Sequence, residues 1–383
     1  MKKLVALVLS VVAFVFLGTQ SAVALPTTTS WTNGGLNEMV RYTGPLTTSI
    51  SGTGFLTQTG NISVEKPAGG TVIAAFLTSA SNVAAATPTD VKINGQTVTY
   101  SHRANTTVGW NFANYFADVT ALVKPDIDAH AAGTFTLPLD EGTSPGSGAL
   151  DGEELVVIFN DPAKINTPTT VVVVFGSARQ SGDSFTLNFP ALTDLSRQSA
   201  TLSLGISFSS QSAGNRSQQS NIKMSTSSRS TLEWISQTAG GQNDGTGSDG
   251  ALITVGGIGD SLALPALNTT ADDDELYGLG SFLTQGDTSI TINTVNASLN
   301  DNVFQAVLVL DGVQATGAVS VGDPVQSTIP APSVSTPTTP ASTPVALAKT
   351  GANMPDLFAV FALLAIGAGT IAVMLTRRRR TSK

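Results

Sequence analysis

The chain has 383 residues, no cysteine and a formal net charge of −8 at pH 7. The lack of cysteine excludes a fold held by disulfides, and the acidic balance disfavours nucleic acid and anionic lipid as partners. Without its two predicted terminal segments, the chain over residues 25–350 keeps 12 basic and 26 acidic side chains. That length is sufficient for one or two hydrophobic cores.

The first 24 residues have the pattern of a secretory signal peptide. Lys2 and Lys3 precede an apolar stretch over residues 4–17, and residues 22–24 read Ala-Val-Ala, an A-x-A cleavage pattern. Cleavage there would give a mature protein that begins near Leu25. An uncleaved N-terminal anchor is the alternative, which the short apolar stretch and the small residues disfavour.

The body of the chain, over residues 31–324, is predicted to be almost entirely β. Short runs rich in β-branched and aromatic residues are bounded by Gly, Pro, Asn and Asp. The predicted strands lie at residues 72–77, 91–100, 155–159, 171–175, 200–208, 289–294 and 304–310. Several of them alternate apolar and polar residues, which indicates sheets with one face on a core.

Asn94 and Gly95 predict a tight hairpin turn near residues 90–100. A type I′ turn needs positive φ at both central residues, and Asn-Gly is the dipeptide that adopts this conformation most readily. This is the most specific local prediction that the sequence offers.

The order of segments repeats along the body. Residues 116–123, then 133–137, then the strand at 155–159 are mirrored by residues 276–283, 287–292 and 304–310. The repeat indicates a diverged duplication. We therefore predict an all-β chain with two jelly-roll-like β-sandwich domains, over residues 25–178 and 179–324. One large sandwich with long loops is the alternative.

Two short motifs also occur in hydrolases. Residues 142–146 fit G-x-S-x-G, and residues 259–262 read G-D-S-L. The first lies in a Gly/Ser/Pro-rich stretch instead of a strand-to-helix turn, and both histidines, His102 and His130, precede the second. We interpret both motifs as loop composition, His102 as a solvated strand residue and His130 as a loop residue, and we expect no enzyme.

A run of four acids is the main candidate for a metal site. Its members are Asp272, Asp273, Asp274 and Glu275. A hard cation with oxygen ligands would relieve their mutual repulsion, so calcium is the candidate ion. Residues 244–250 resemble part of a calcium loop. Solvated loop carboxylates are the alternative in both places, and no other cofactor is predicted.

The chain then becomes rich in Pro, Ser and Thr over residues 325–346. Such a segment lacks the apolar surface to fold, and polyproline II geometry gives a semi-rigid spacer of about 3 Å per residue. This composition is typical of a stalk between a folded body and an anchor.

The C-terminus carries three features in a fixed order. An apolar run over residues 357–375 holds no charge, and its nineteen residues would span roughly 28 Å as a helix. The basic tail, residues 376–383, favours a cytoplasmic C-terminus by the positive-inside rule. Its stop-transfer residues are Arg377, Arg378, Arg379 and Arg380. The pentapeptide before the run consists of Leu347, Ala348, Lys349, Thr350 and Gly351.

Together these features resemble the cell-wall sorting signal of Gram-positive bacteria. Ala348 stands where the common LPxTG pattern has proline, and the LAxTG variant is associated with high-GC Gram-positive bacteria. The resemblance implies that a membrane sortase cleaves between Thr350 and Gly351 and joins Thr350 covalently to peptidoglycan. An ordinary tail-anchored span that is never cut is the alternative.

The resemblance implies an extracellular, cell-wall-anchored protein that occupies the plasma membrane only before sorting. An adhesin or ligand-binding module is the first functional class, with an unknown extracellular ligand and with Trp31, Trp110, Tyr115 and Trp234 as candidate exposed contacts. The alternative is a structural surface-layer or pilus-associated subunit.

Wall-anchored β-domains without cysteine also carry isopeptide bonds in some cases. Lys92 and Lys223 lie in strand-like segments and are the candidates here. The simpler interpretation is a lysine that points from a strand into water.

Overall fold

A computed structural model describes residues 31–32, 35–55, 57–81, 87–105, 112–144, 150–179, 181–207, 219–240, 253–264, 275–299, 301–315 and 320–322. Within these ranges the chain is mostly β, as the sequence predicts, and has a single α-helix. All of these residues belong to one compact unit. The predicted signal peptide, linker, sorting motif and C-terminal apolar run lie outside them. No helix in the described ranges has the length and hydropathy needed to cross a membrane.

The elements up to residue 160 are β1 (Trp31–Thr32), β2 (Gly35–Gly44), β3 (Leu46–Thr53), β4 (Thr59–Lys66), β5 (Thr71–Ser81), β6 (Lys92–Ile93), β7 (Gln96–Thr97), β8 (His102–Asn105), β9 (Ala113–Asp118), α1 (Thr120–Ala129), β10 (Gly133–Asp140) and β11 (Leu150–Asn160). The later strands are β12 (Thr169–Ser177), β13 (Asp183–Asn188), β14 (Ser199–Ser207), β15 (Ser220–Thr226), β16 (Glu233–Ala239), β17 (Ile253–Val255), β18 (Leu276–Gly278), β19 (Ser289–Val295), β20 (Asn302–Asp311) and β21 (Ser320–Gly322). Short 3-10 helices lie at Pro162–Lys164 and Gly280–Phe282.

The predicted hairpin is confirmed. β6 and β7 pair antiparallel, with Ile93 opposite Gln96. Between them Asn94 has φ +51° and Gly95 has φ +73°, the positive values that a type I′ turn requires. Local backbone preference therefore determines this turn.

The strands form four sheets. Sheet 1 has the order β4-β10-β6-β7, and sheet 2 has the order β1-β8-β9-β5-β11-β3. Sheet 3 has the order β17-β14-β20-β12-β2, with β18 also paired to β14, and sheet 4 has the order β16-β15-β19-β13-β21.

Sheets 1 and 2 repeat their strand order in sheets 4 and 3. The order β4-β10-β6-β7 in sheet 1 becomes β13-β19-β15-β16 in sheet 4, and β5-β11-β3 in sheet 2 becomes β14-β20-β12 in sheet 3. Each strand of the first set corresponds to the strand nine places later. The segments that the sequence comparison pairs occupy equivalent places, because β10 and β11 correspond to β19 and β20.

Three hydrophobic cores separate the four sheets. The first lies between sheets 1 and 2, the second between sheets 2 and 3, and the third between sheets 3 and 4. In β11, Leu155 and Val157 belong to the first core, whereas Val156 and Ile158 belong to the second. Sheets 2 and 3 thus bury both faces, which explains the unbroken apolar runs in β11 and β12.

Along the chain, the change from sheet 2 to sheet 3 does not occur at residue 178. The last strand of sheet 2 is β11, which ends at Asn160, and the next strand, β12, already belongs to sheet 3. β2 comes from the first predicted domain but pairs antiparallel with β12 along its whole length. The division into two sequential domains at that position stays a prediction.

Helix α1 interrupts the segment over residues 116–123 that the sequence analysis treats as one run. β9 ends at Asp118, whose Oδ1 accepts a hydrogen bond from the Thr120 N–H at 2.9 Å. Val123 and Ile127, one turn apart, are buried in the first core. The apolar spacing has therefore changed from two residues to four, which favours a helix over a strand.

Candidate functional site

A cleft lies beside β3, the edge strand of sheet 2, on the face of sheet 3 that turns toward sheet 2. It has a volume of about 370 Å³, within the range of small ligand sites. We call it the junction cleft, because it lies between the two sheet pairs. One wall consists of residues 46–50 in β3, the edge strand of sheet 2, and the floor consists of residues from β14 and β20 in sheet 3.

The floor combines hydroxyl and aliphatic side chains. Thr201 and Ser203 come from β14, and Val307 and Val309 come from the neighbouring strand β20. All four lie on the face of sheet 3 that turns toward sheet 2, since Val307 is in the second core. None of the described lining residues is aromatic, so the cleft lacks the flat apolar surface on which sugar rings stack.

The turn over residues 257–262 forms one border of the cleft. Ile258 N–H donates to Ile50 O of β3 at 2.9 Å, and Leu262 O accepts from Gly278 N–H at 3.1 Å. Asp260 Oδ2 accepts from Gly257 N–H at 2.6 Å and stabilises the turn. The turn therefore connects the edge of sheet 2 to β18 in sheet 3.

This turn contains the G-D-S-L tetrapeptide that the sequence analysis interprets as loop composition. Ser261 is exposed, and its Oγ accepts from Ala263 N–H at 3.1 Å. His102 lies in β8, on the far side of sheet 2 from β3, and His130 follows helix α1. The structure does not bring Ser261 and a histidine together in a nucleophile and base arrangement.

The interpretation of His102 as a solvated residue is wrong. Its side chain is buried, its Nδ1 lies 2.8 Å from Ser101 Oγ, and its ring meets Phe116 edge-on at 6.0 Å between centroids. His102 points into the second core because sheet 3 covers that face of β8. A second sheet on this face is a tertiary feature that alternation in β8 alone does not reveal.

Charged residues line the cleft near both of its ends. Lys164 Nζ lies 2.8 Å from Asp311 Oδ1, which also accepts from Thr169 Oγ1 at 2.9 Å. Glu65 and Asp260 are the other charged lining residues. With Lys164 engaged by Asp311, two carboxylates give the lining a net negative charge.

Neither a scan against models of protein families nor a search of curated proteins finds a match to this chain. The sorting motif at residues 347–351 and the stop-transfer arginines at 377–380 lie outside the described residues, and both stay predictions.

The predicted metal cluster is described only at its last member. Asp272, Asp273 and Asp274 lie outside the described ranges. Glu275 is buried, and its carboxylate accepts hydrogen bonds from Tyr277 Oη at 2.7 Å and from Gly240 N–H. Within the described ranges no group of three or more His, Asp or Glu side chains could hold a metal ion. Calcium binding at residues 272–275 stays a prediction.

The candidate contact aromatics have different surroundings. Tyr115 is wholly buried in the first core, so its prediction as an exposed contact is wrong. Trp234 is half-buried on sheet 4, with Lys223 Nζ 3.9 Å from its ring centroid. This cation–π contact holds the ammonium at the surface. Trp110 lies outside the described ranges, as does the side chain of Trp31.

The two isopeptide candidates have different surroundings. Lys92 is exposed on β6. Lys223 is opposite Asn293 in β19, which is fully buried. Its ammonium contacts the Trp234 ring, as described above, and Lys223 is half-buried. An isopeptide bond at either lysine stays a prediction.

The sequence analysis missed a buried pair of carboxyl groups. Glu141 and Glu153 lie in the interior between sheets 1 and 2, where the protonated Glu153 carboxyl donates a hydrogen bond to the Glu141 carboxylate. Glu153 Oε1 also accepts from Ser79 Oγ at 3.2 Å, and Ser79 Oγ lies 2.5 Å from Tyr100 Oη. A hydrogen bond between two carboxyl groups requires one shared proton.

Burial is the main cause of the raised pKa of both acids. It raises the pKa of Glu141 to about 7. Burial and the nearby Glu141 charge raise the pKa of Glu153 well above its ordinary value. The sequence offered one signal, because two acids at residues 153–154 directly precede the apolar run at 155–159, but it did not show that Glu141 would lie beside Glu153.

Proposed function

We propose that this chain is a sortase-anchored cell-wall surface protein that displays its β body outside the cell and binds an extracellular ligand in the junction cleft. The junction cleft carries the binding part of this proposal, since it is concave, combines apolar and polar groups and lies between the two packed sheet pairs. The C-terminal motif, apolar run and arginines, in that order, support the anchoring part. An adhesin or another ligand-binding module is the class that fits both.

We also infer that each sheet pair is a jelly roll. For this comparison the strands from β3 to β11 are renumbered one to eight, and β8 and β9 count together as strand six. In these numbers sheet 2 contains the order 6-3-8-1, and sheet 1 has the order 2-7-4-5. Numbered from β12, sheets 3 and 4 contain the same two orders. This is the arrangement of an eight-stranded double Greek key. It supports two sandwich domains, from β3 to β11 and from β12 to β20.

The proposal assigns recognition to the protein and no catalytic role. Ser261 lies at an exposed turn, and the two histidines lie elsewhere in the fold. The alternative function is a structural surface-layer or pilus-associated subunit. The repeated strand order and the Pro/Ser/Thr linker favour it, since repeated rigid units on a stalk suit an extended assembly.

Mass spectrometry of protein released from purified walls by muralytic enzymes tests the anchor. We expect a C-terminal peptide that ends at Thr350 and carries a peptidoglycan fragment. Thr350→Ala should leave the chain in the membrane fraction, whereas Thr343→Ala in the linker should not change its attachment. An intact chain through Lys383, found only in membranes, would show a tail-anchored protein and overturn the sortase proposal.

A further inference from the structure

The wall of the junction cleft is an open sheet edge. β3 pairs with β11 on one side, and on its other side no strand of the described ranges pairs with it. Ile50 O accepts from Ile258 N–H on that open side. Because backbone groups alternate along a strand, the N–H and C=O of Thr48 and Leu46 point the same way as those of Ile50. Among the described residues no backbone group bonds Thr48 there.

The structure already contains the first bond of an additional strand. Ile258 N–H meets Ile50 O at 2.9 Å, as a neighbouring strand would, and the chain then turns away through Gly259. From Ile50 back to Leu46 the edge faces the cleft. An open row of donors and acceptors is a template for a further strand, and five residues of it span about 17 Å.

The two sides of such a strand would meet different surroundings. Even-numbered residues of β3 face sheet 3, since Leu46 and Ile50 belong to the second core. Odd-numbered residues face sheet 1, since Ser49 Oγ accepts from Glu65 N–H at 2.9 Å. A strand beside β3 would therefore lay alternate side chains on Val307 and Val309 and turn the others toward Glu65.

We propose that the junction cleft binds an extended peptide, which pairs with the open edge of β3 and places a basic side chain near Glu65. Main-chain pairing gives the affinity in this mode of recognition, and alternate side chains give the specificity. Small β-branched side chains fit the floor, and the negative lining selects a positive charge. This inference rests on the proposed function, since it names the ligand class of the same cleft.

Binding of a labelled pentapeptide to the full chain in mild detergent tests the proposal. The probe is acetyl-TVKVT-amide, with valines for the floor and the lysine for Glu65. Two matched peptides accompany it, one with glutamate in place of lysine and one with N-methylated backbone amides. We expect the probe to bind at least about tenfold more tightly than either, which corresponds to about 1.4 kcal/mol. Equal binding of the N-methylated peptide would overturn strand pairing.

Variants of the chain locate the site. Thr48→Pro removes the outward N–H at an edge position that tolerates proline and should weaken the probe about tenfold, whereas Thr48→Val keeps the backbone and should stay within about twofold. Glu65→Lys, at an exposed position, should reverse the preference between the lysine and glutamate peptides. An unchanged preference would overturn the basic specificity. If Thr48→Pro fails to fold, the N-methylated peptide still tests strand pairing, and Glu65→Lys still tests the preference for a basic side chain.

The outcome of the peptide-binding experiment does not depend on the outcome of the anchoring experiment. Wall attachment without peptide binding would overturn the strand-addition proposal alone. Peptide binding by a chain that is never attached to the wall would keep the site and overturn the display part of the proposed function.

Discussion

The two sheet pairs share a strand order, but two of their buried acids, Glu153 and Asp287, have opposite pKa shifts. Between sheets 1 and 2, Glu141 and Glu153 face each other, and burial raises the pKa of both. In the second pair Asp287 likewise has no exposed surface, but it lies closer to the protein surface than Glu153. Its Oδ1 accepts from Ser228 N–H at 2.8 Å and its Oδ2 from Thr284 N–H at 2.7 Å. Burial opposes ionisation of Asp287, but these bonds outweigh it and lower the pKa.

The difference shows that the depth of burial and the hydrogen-bond partners together determine the charge of a buried acid. Asp287 meets N–H and O–H donors that stabilise its negative form, whereas Glu153 meets another acid. Asp287 should therefore stabilise the fold as an ionised carboxylate, whereas the Glu141–Glu153 pair should stabilise it with one shared proton.

The largest effect is expected in the second core, which both pairs share. Phe175 of sheet 3 is fully buried and lies 5.4 Å from Phe116 of sheet 2, between ring centroids. Phe175→Ala should cost about 3–5 kcal/mol of unfolding free energy through lost burial and a cavity. Calorimetry should show a lower Tm in a single transition.

Ile165→Ala, at a side chain that is 72% exposed, is the matched control and should leave Tm nearly unchanged. Two separate transitions in the wild type, with only one of them moved by Phe175→Ala, would show that the pairs unfold independently.

A smaller loss is expected from Asp287→Ala. The substitution leaves the Ser228 and Thr284 N–H groups without their acceptor and should cost about 1–2 kcal/mol at pH 7. Denaturant unfolding measures it. Asp287→Asn keeps the shape and one acceptor and should lose less. Equal losses of unfolding free energy in both variants would show that the hydrogen bonds accepted by the Asp287 carboxylate are not what stabilises this site.

The Glu141–Glu153 pair should make stability depend on pH. A folded pKa above the unfolded value gives stability at low pH that is lost as pH rises, here from about 4.3 toward the folded value near 7. Glu153→Gln keeps a hydrogen-bonding side chain without the second acid and should stabilise the chain by about 1–2 kcal/mol at pH 8.

Denaturant unfolding between pH 5 and pH 8 would measure the change in slope. Glu65→Gln, at an exposed position, is the control and should keep the wild-type slope. Burial also raises the pKa of Asp301 to about 7, but that contribution is the same in the wild type and in Glu153→Gln. A Glu153→Gln variant with the wild-type slope would therefore contradict the shared proton.

The smallest effect compares two glycines, one in each sheet pair. Gly95 has φ +73°, and an added Cβ would meet no atom within 4 Å, so Gly95→Ala should cost about 1 kcal/mol from backbone strain alone. Gly280 is equally open but has no positive φ. Gly280→Ala should be neutral or slightly stabilising in thermal unfolding, and a similar loss at both positions would refute the strain argument.

Much of the β fold could be predicted from local sequence, but the site could not. The apolar runs in β5, β11, β12 and β20 correctly predict these strands, because fully buried strands are rich in unbroken β-branched and aromatic residues. The junction cleft depends on β3, whose Thr- and Ser-rich sequence does not distinguish an edge strand from a solvated loop. Its floor comes from residues about 150 to 260 positions away in the chain.

The sequence by itself determined the β class, the Asn94-Gly95 turn and the repeated order of segments, because these depend on side-chain periodicity and local backbone preference. Only the tertiary structure decided that β2 joins sheet 3, that His102 and Tyr115 are buried, and that Glu141 meets Glu153. These features arise when sheets stack on both faces of sheets 2 and 3, and the neighbours across a stack come from distant parts of the chain. Period-two patterning tells which residues share a face, whereas long-range packing determines what covers it.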